Sequence, residues 1–275
     1  MRIPPPDGSR DPRTEDPTNV WFVHLIGRIL LPVALRVRIS ANAVSVAGFA
    51  LGAAAACCDF HWRQSGYATI GFLLAIAWLI ADGLDGMIAR ATASASALGR
   101  LLDGICDHGV FILLYCALAA SIGTAGAWLL AVGAGLVHAV QATLYEGERT
   151  RFHRRIAGDA GTFAAPGQAS DGLTRLYDSV AGSLDRLAEP FDRRLARSAD
   201  PGAVGRAYGN RAWRPLRLLS LLSNNMRVLL IYAACLAGDV RWFWRIELVP
   251  LSVIAVWGIA WHRRVEAGLV AEGTG

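Results

Sequence analysis

Long apolar runs separated by short polar breaks dominate the chain. Six of them, at about 40–58, 68–89, 104–122, 125–145, 216–237 and 246–262, approach the ~20 residues a helix needs to cross a bilayer. The first is diluted by small residues and the last is short. Backbone groups in lipid must bond internally, so each run predicts a helix. The fold class is therefore an all-α integral membrane protein with six transmembrane helices. Residues 17–37 are apolar but carry Trp21, Arg28 and Arg36, which suits a helix lying at the membrane interface. The alternative for that stretch is a short, imperfect span.

The polar remainder sets the organisation. Residues 1–16 read as a disordered tail without the layout of a cleavable signal peptide. Spans one to four occupy 38–146, spans five and six occupy 216–264, and 265–275 is a second tail. The stretch 147–215 is a polar insertion. Within it Leu173, Leu176, Tyr177, Val180, Leu184, Leu187, Phe191 and Leu195 recur at steps of three and four, the pattern of an amphipathic helix. Residues 198–210, "SADPGAVGRAYGN", read as loop from their glycine, proline and aspartate.

Charge orients these elements. All 27 basic residues are arginine, the net charge is +5 and 54% of residues are hydrophobic. With no lysine, lysine chemistry is excluded; the skew suggests a GC-rich, bacterial coding sequence. Basic residues beside spans set topology and touch anionic lipid, so nucleic acid is not the expected partner. Arg28, Arg36, Arg38, Arg90, Arg100, the arginines of 149–217, Arg263 and Arg264 fall on one side; Arg63, Arg241 and Arg245 fall on the other. The positive-inside bias places both termini and the insertion in the cytoplasm, in a bacterial cytoplasmic membrane. The five cysteines lie in or beside spans with no Cys-x-x-Cys pair, and read as small hydrophobes.

The second and third spans meet at "ADGLDGMIARATASASALGRLLDGICDHG", residues 81–109. Asp82 and Asp85 are three apart, Asp103 and Asp107 four apart, so each pair shares a helix face. Ionisable groups at a membrane boundary are costly and suggest a functional site. Four mutually repelling carboxylates, with no histidine or thiol set beside them, select a hard cation such as Mg²⁺, Mn²⁺ or Ca²⁺. Such a cluster suits metal-assisted chemistry on a phosphate ester at the cytoplasmic surface, with two metals able to clamp both oxygens of a phosphoryl transfer. The bland reading is that Asp85-Gly86 and Asp103-Gly104 are turn residues.

The run Asp82-x-x-Asp85-Gly86-x-x-Ala89-Arg90, eight residues, then Gly99-x-x-x-Asp103-x-x-x-Asp107, resembles the signature of the CDP-alcohol phosphatidyltransferase family. The segment Ile39 to Ser45 is similar to the family's nucleotide-contacting stretch, with Ala41 where the family commonly has proline. The resemblance implies transfer of a phosphatidyl or related group from a CDP-linked lipid, most often CDP-diacylglycerol, to an alcohol, with release of CMP. It implies that Asp82, Asp85, Asp103 and Asp107 hold Mg²⁺ or Mn²⁺, two ions in all. It makes Asp107 the base, and places Asn42, Ser45, Gly86, Arg90 and Ser96 at the CDP-lipid. Its partners are the CDP-lipid, a small alcohol or polyol phosphate, membrane lipids and a second copy of the chain.

The acceptor site is less defined. Arg149, Arg154 and Arg155, near Glu146, Glu148 and Arg151, suit a phosphorylated alcohol and equally suit anionic lipid heads. His138 within the fourth span reads as a packed or hydrogen-bonded histidine. Two rival functions use the same aspartates. A Mg²⁺-dependent membrane prenyltransferase has its two aspartate motifs far apart, and a cation transporter places carboxylates near mid-membrane on several helices.

Overall fold

The computed structural model describes residues 11–94, 97–161 and 186–272, with the side chains of 97, 98 and 100–103 left undescribed. Ten α-helices are labelled here: α1 (His24–Arg36), α2 (Ala41–Phe60), α3 (Tyr67–Ala91), α4 (Ala97–Ile122), α5 (Ala125–Ile156), α6 (described over 186–197), α7 (Pro201–Leu219), α8 (Asn224–Leu236), α9 (Arg241–Ile246) and α10 (Ser252–Glu272). No strand occurs among the described residues. Six segments are long and apolar enough to cross a membrane: Asn19–Arg36, Ala41–Phe60, Tyr67–Ala91, Gly104–Ile122, Ala125–Ile156 and Arg241–Glu272. The protein is an integral membrane protein of all-α class.

Two expectations about the spans change. The stretch expected at the interface, Asn19–Arg36, is itself long and apolar enough to cross. The run at 216–237 is not one continuous helix: α7 ends at Leu219 and α8 begins at Asn224. The chain breaks at extended Ser223, whose N–H bonds the Ser220 carbonyl. The polar run Ser223-Asn224-Asn225 then starts α8, and Asn225 Nδ2 donates to Thr18 Oγ1 at 3.2 Å.

The helices divide into two compact units. The first holds Pro17–Ala139 and Asn224–Pro250. Its centre is α2, a helix of small residues that packs closely on both α3 and α4. A methyl on Gly48 would lie 3.2 Å from Ala81 of α3, and one on Gly52 would overlap the methyls of Val110 of α4. Apolar driving force between helices is weak in lipid, so this close backbone approach is what associates them. Trp78, Phe111, Leu114, Leu118, Phe243 and Trp244 fill the core around it. Sequence reading missed one buried feature there: Arg227 and Glu247, both fully buried, pair at 3.0 Å.

The second unit holds Gly8–Asp16, Val140–Ser223 and Leu251–Gly275. α5 is 32 residues, about 48 Å long, and so outruns the ~30 Å apolar layer. The arginines from Arg149 to Arg155 therefore stand on helix rather than loop. Residues 201–210, expected as loop, form the first half of α7. Asp200 caps the helix by accepting from Ala203 N at 2.8 Å, and Pro201 takes the first turn, where its missing N–H costs nothing. Its glycines are packing residues: a methyl on Gly205 would lie 2.5 Å from the Arg155 carbonyl, and one on Gly209 would lie 3.0 Å from Ile156.

Parts of both ends of the polar sequence also differ from expectation. Thr14, Glu15 and Asp16, placed in a disordered tail, are buried. Arg217 donates to the carbonyls of Pro12 and Glu15, and Arg149 pairs with Glu15. Of the amphipathic face read in the insertion, Leu173 to Leu184 lie outside the described residues. In α6 Phe191 and Leu195 are buried as the periodicity requires, whereas Leu187 is 59% exposed and Ala188, outside the pattern, is buried in its place.

Candidate active site

The aspartate motif occupies the C-terminal turns of α3 and the first turns of α4. α3 runs through Asp82 and Asp85 to Ala91 and is closed by Thr92, whose Oγ1 donates to the Ile88 carbonyl at 2.8 Å. Ala93 follows at φ 50°, turning the chain toward α4. Asp85 is buried and Asp82 is half-buried. Asp107 is half-buried on α4. Asp103 lies on α4 with its side chain undescribed, and Ser96 lies outside the described residues.

The opening of α2 meets this turn. Ser40 caps the helix by accepting from Ala43 N at 3.2 Å. Asn42, in the first turn, is exposed. One turn on, the buried Ser45 has its Oγ 3.2 Å from the Ala41 carbonyl and 2.5 Å from Asp85 Oδ2. A hydroxyl has one proton, and the shorter, charge-assisted contact to the carboxylate is the stronger. Ser45, expected at the CDP-lipid, thus orients a motif carboxylate. A small cluster of Ala34, Val44, Leu84 and Ile88 clamps α1, α2 and α3 around the same turn. Arg90 is exposed, and its guanidinium folds back so that Nη1 lies 3.2 Å from where a Cβ of Gly86 would stand.

The donor set of Asp82, Asp85 and Asp107 is all hard oxygen from two helices. One member is held by Ser45, and α4 leaves open space beside Gly104. These residues fit Mg²⁺ or Mn²⁺.

A second acidic group invites the same question and gives a different answer. Among the described residues, Glu148, His262 and Glu266 are the group whose ligand atoms lie within 4.8 Å of one another. All three are buried. Glu148 pairs with Arg151 at 2.8 Å and with Arg263, while His262 Nδ1 lies 2.5 Å from Glu148 Oε2. Glu266 pairs with Arg155 and with Arg263. His262 Nε2 also lies 2.8 Å from the Tyr208 hydroxyl. Three guanidinium groups already supply the positive charge that a metal would bring, so this cluster is an ion-pair lock joining α5, α7 and α10, not a metal site.

The same lock bears on the arginines expected at the acceptor. Arg155 is fully buried: it donates to Asp192 of α6 at 2.7 Å, to the Ala188 carbonyl at 3.1 Å and to Glu266. Arg154 pairs with Asp192 at 3.3 Å, and Arg149 pairs with Glu146 and Glu15. His138 is buried with Nδ1 3.2 Å from the Tyr115 hydroxyl, the packed and hydrogen-bonded histidine its position suggested.

The family model of CDP-alcohol phosphatidyltransferase matches residues 38–165, from the cap of α2 past the end of α5. Residues 38–165 are a CDP-alcohol phosphatidyltransferase domain. The family that this segment matches comprises phosphotransferases that move a phosphatidyl group from a CDP-alcohol to an acceptor. Neither a curated protein nor a solved structure matches the chain.

Proposed function

We propose that the protein transfers a phosphatidyl, or related substituted phosphate, group from a CDP-linked lipid, CDP-diacylglycerol foremost, to a small alcohol or polyol phosphate. CMP is the leaving group, and the reaction takes place at the cytoplasmic face of a bacterial membrane. The observation that carries this reading is the complete motif at the α3–α4 turn with Asp85 fixed by Ser45 of α2. Asp82, Asp85, Asp103 and Asp107 would hold the divalent metal, whose chemistry is to offset charge on the diphosphate. Asp107 takes the proton from the attacking hydroxyl, a role open to a carboxylate within hydrogen-bond reach of it. Gly86 offers backbone free of a Cβ, and Arg90 carries a planar fork suited to phosphate oxygens. Asn42, at the exposed start of α2, and Ser96 serve as nucleotide contacts.

The test is release of CMP by the purified protein from CDP-diacylglycerol across a panel of alcohols, with Mg²⁺ or Mn²⁺ present. Acceptor-dependent CMP release supports the reading. Release that no alcohol stimulates, or full release in excess chelator, overturns it.

A further inference from the structure

Three residues of α4 frame an opening beside the motif. Asp107 and His108 stand three and four residues after Gly104, so the glycine lies one turn earlier on the helix surface, between them. Helix side chains lean toward the N-terminus, which tilts both Asp107 and His108 over the glycine. Nothing among the described residues stands within 4 Å of where a Cβ on Gly104 would be, so the three residues bound a notch of open space. His108 is exposed, and its ring is held: Nδ1 lies 2.8 Å from the Gly104 carbonyl, which can only accept. The proton therefore sits on Nδ1, and Nε2 of the neutral ring presents a lone pair. Among the described residues nothing hydrogen-bonds Nε2. One turn further along this face, Phe111 is buried against Trp78 of α3 and His138 of α5, with ring centroids 5.4 and 4.4 Å away, so the accessible polar surface ends at His108. The arginines weighed for the acceptor are engaged elsewhere: Arg154 and Arg155 by Asp192, and Arg149 by Glu15 and Glu146.

We propose that the Gly104 notch seats the acceptor, and that His108 Nε2 accepts a hydrogen bond from a hydroxyl next to the one that Asp107 deprotonates. The inference rests on the proposed transfer reaction and adds the acceptor's chemistry to it. Because Asp107 and His108 flank the notch, a carbon above Gly104 can present one hydroxyl to the carboxylate and a neighbouring hydroxyl to the imidazole. A lone pair selects an O–H donor. An ionised phosphate oxygen has no proton to donate, and a monohydric alcohol has no second hydroxyl. The acceptor is therefore a polyol, bound at this end through two adjacent hydroxyls, and a side chain at residue 104 would take the place of its carbon.

The test follows CMP release from CDP-diacylglycerol by the full-length protein in phosphatidylcholine nanodiscs. The polyol acceptors are glycerol, glycerol 3-phosphate, myo-inositol and myo-inositol 1-phosphate; the monohydric ones are serine, ethanolamine and choline. A polyol is expected to stimulate release and the monohydric alcohols are not. Two variants then separate the ring nitrogens. His108→Asn keeps an amide at the reach of Nδ1, whereas His108→Gln places one at the reach of Nε2. The Asn variant should raise the KM for the polyol roughly tenfold, the worth of one hydrogen bond, with the KM for CDP-diacylglycerol unchanged. The Gln variant should recover most of that loss. Gly104→Val, at a position with room for a side chain, should raise the same KM. Stimulation by monohydric alcohols leaves the transfer reaction standing and overturns the notch; stimulation by neither group overturns both. Asn and Gln variants that match each other, or that move both KM values together, also overturn the role of His108.

Discussion

Ser45 Oγ and Asp85 Oδ2 lie 2.5 Å apart across the packing seam of α2 and α3. The contact fixes one oxygen of a buried motif carboxylate. Partners of this kind tune metal affinity or turnover by about 10–100-fold. Ser45→Ala is therefore expected to shift the Mg²⁺ dependence of CMP release upward by a factor in that range. A titration indistinguishable from wild type would remove Ser45 from the positioning role.

The aspartates are expected to fail differently. Asp107→Asn removes the proposed base and one donor, so turnover is lost while some CDP-lipid binding survives. Asp82→Asn removes a donor on the nucleotide side, so both are lost. Equilibrium binding of a CDP-lipid beside the CMP-release assay separates the two. Near wild-type turnover in Asp107→Asn would place the base elsewhere.

The motif and most of the spans were legible in the sequence because both rest on local spacing. Asp82 and Asp85 share a face wherever the run is helical, and an apolar run of about 20 residues reads as a span without its neighbours. What was missed depended on partners distant in the chain. Gly205 and Gly209 look like loop vocabulary until Arg155 and Ile156 are seen against them; their four-residue spacing was the available signal. Arg155 looks like an anion-binding residue until Asp192 and Glu266 are found on it. The order of Thr14 to Asp16 rests on Arg217 and Arg149, far away in sequence.

That burial changes what an arginine substitution should report. Arg155→Ala removes the buried cation that Asp192 and Glu266 share, leaving Asp192 with Arg154 and Glu266 with Arg263. Removing one partner of a buried pair costs about 3–5 kcal/mol. The expected outcome is a lower melting temperature, with the apparent KM values for CDP-lipid and acceptor moving together. A rise confined to the acceptor KM, with stability unchanged, would return Arg155 to the acceptor site.

The last prediction concerns the wedge that presents Ser45 to Asp85. α2 lies against α3 at Gly48 and against α4 at Gly52, and at Gly52 a methyl would overlap both methyls of Val110. Gly52→Ala forces α2 and α4 apart, and overpacking of this kind costs about 1–3 kcal/mol. Because α2 is a single helix, displacement at Gly52 carries through two turns to Ser45. The expected variant is less stable and also shows the raised Mg²⁺ requirement of Ser45→Ala. Val110→Ala in the same chain makes room for the new methyl, and contacting residues couple in this way. The double variant should recover stability and Mg²⁺ dependence together. If stability returns while the Mg²⁺ dependence stays raised, the helix packing does not set the Ser45–Asp85 contact. If neither returns, Val110 is not what excludes a side chain at residue 52.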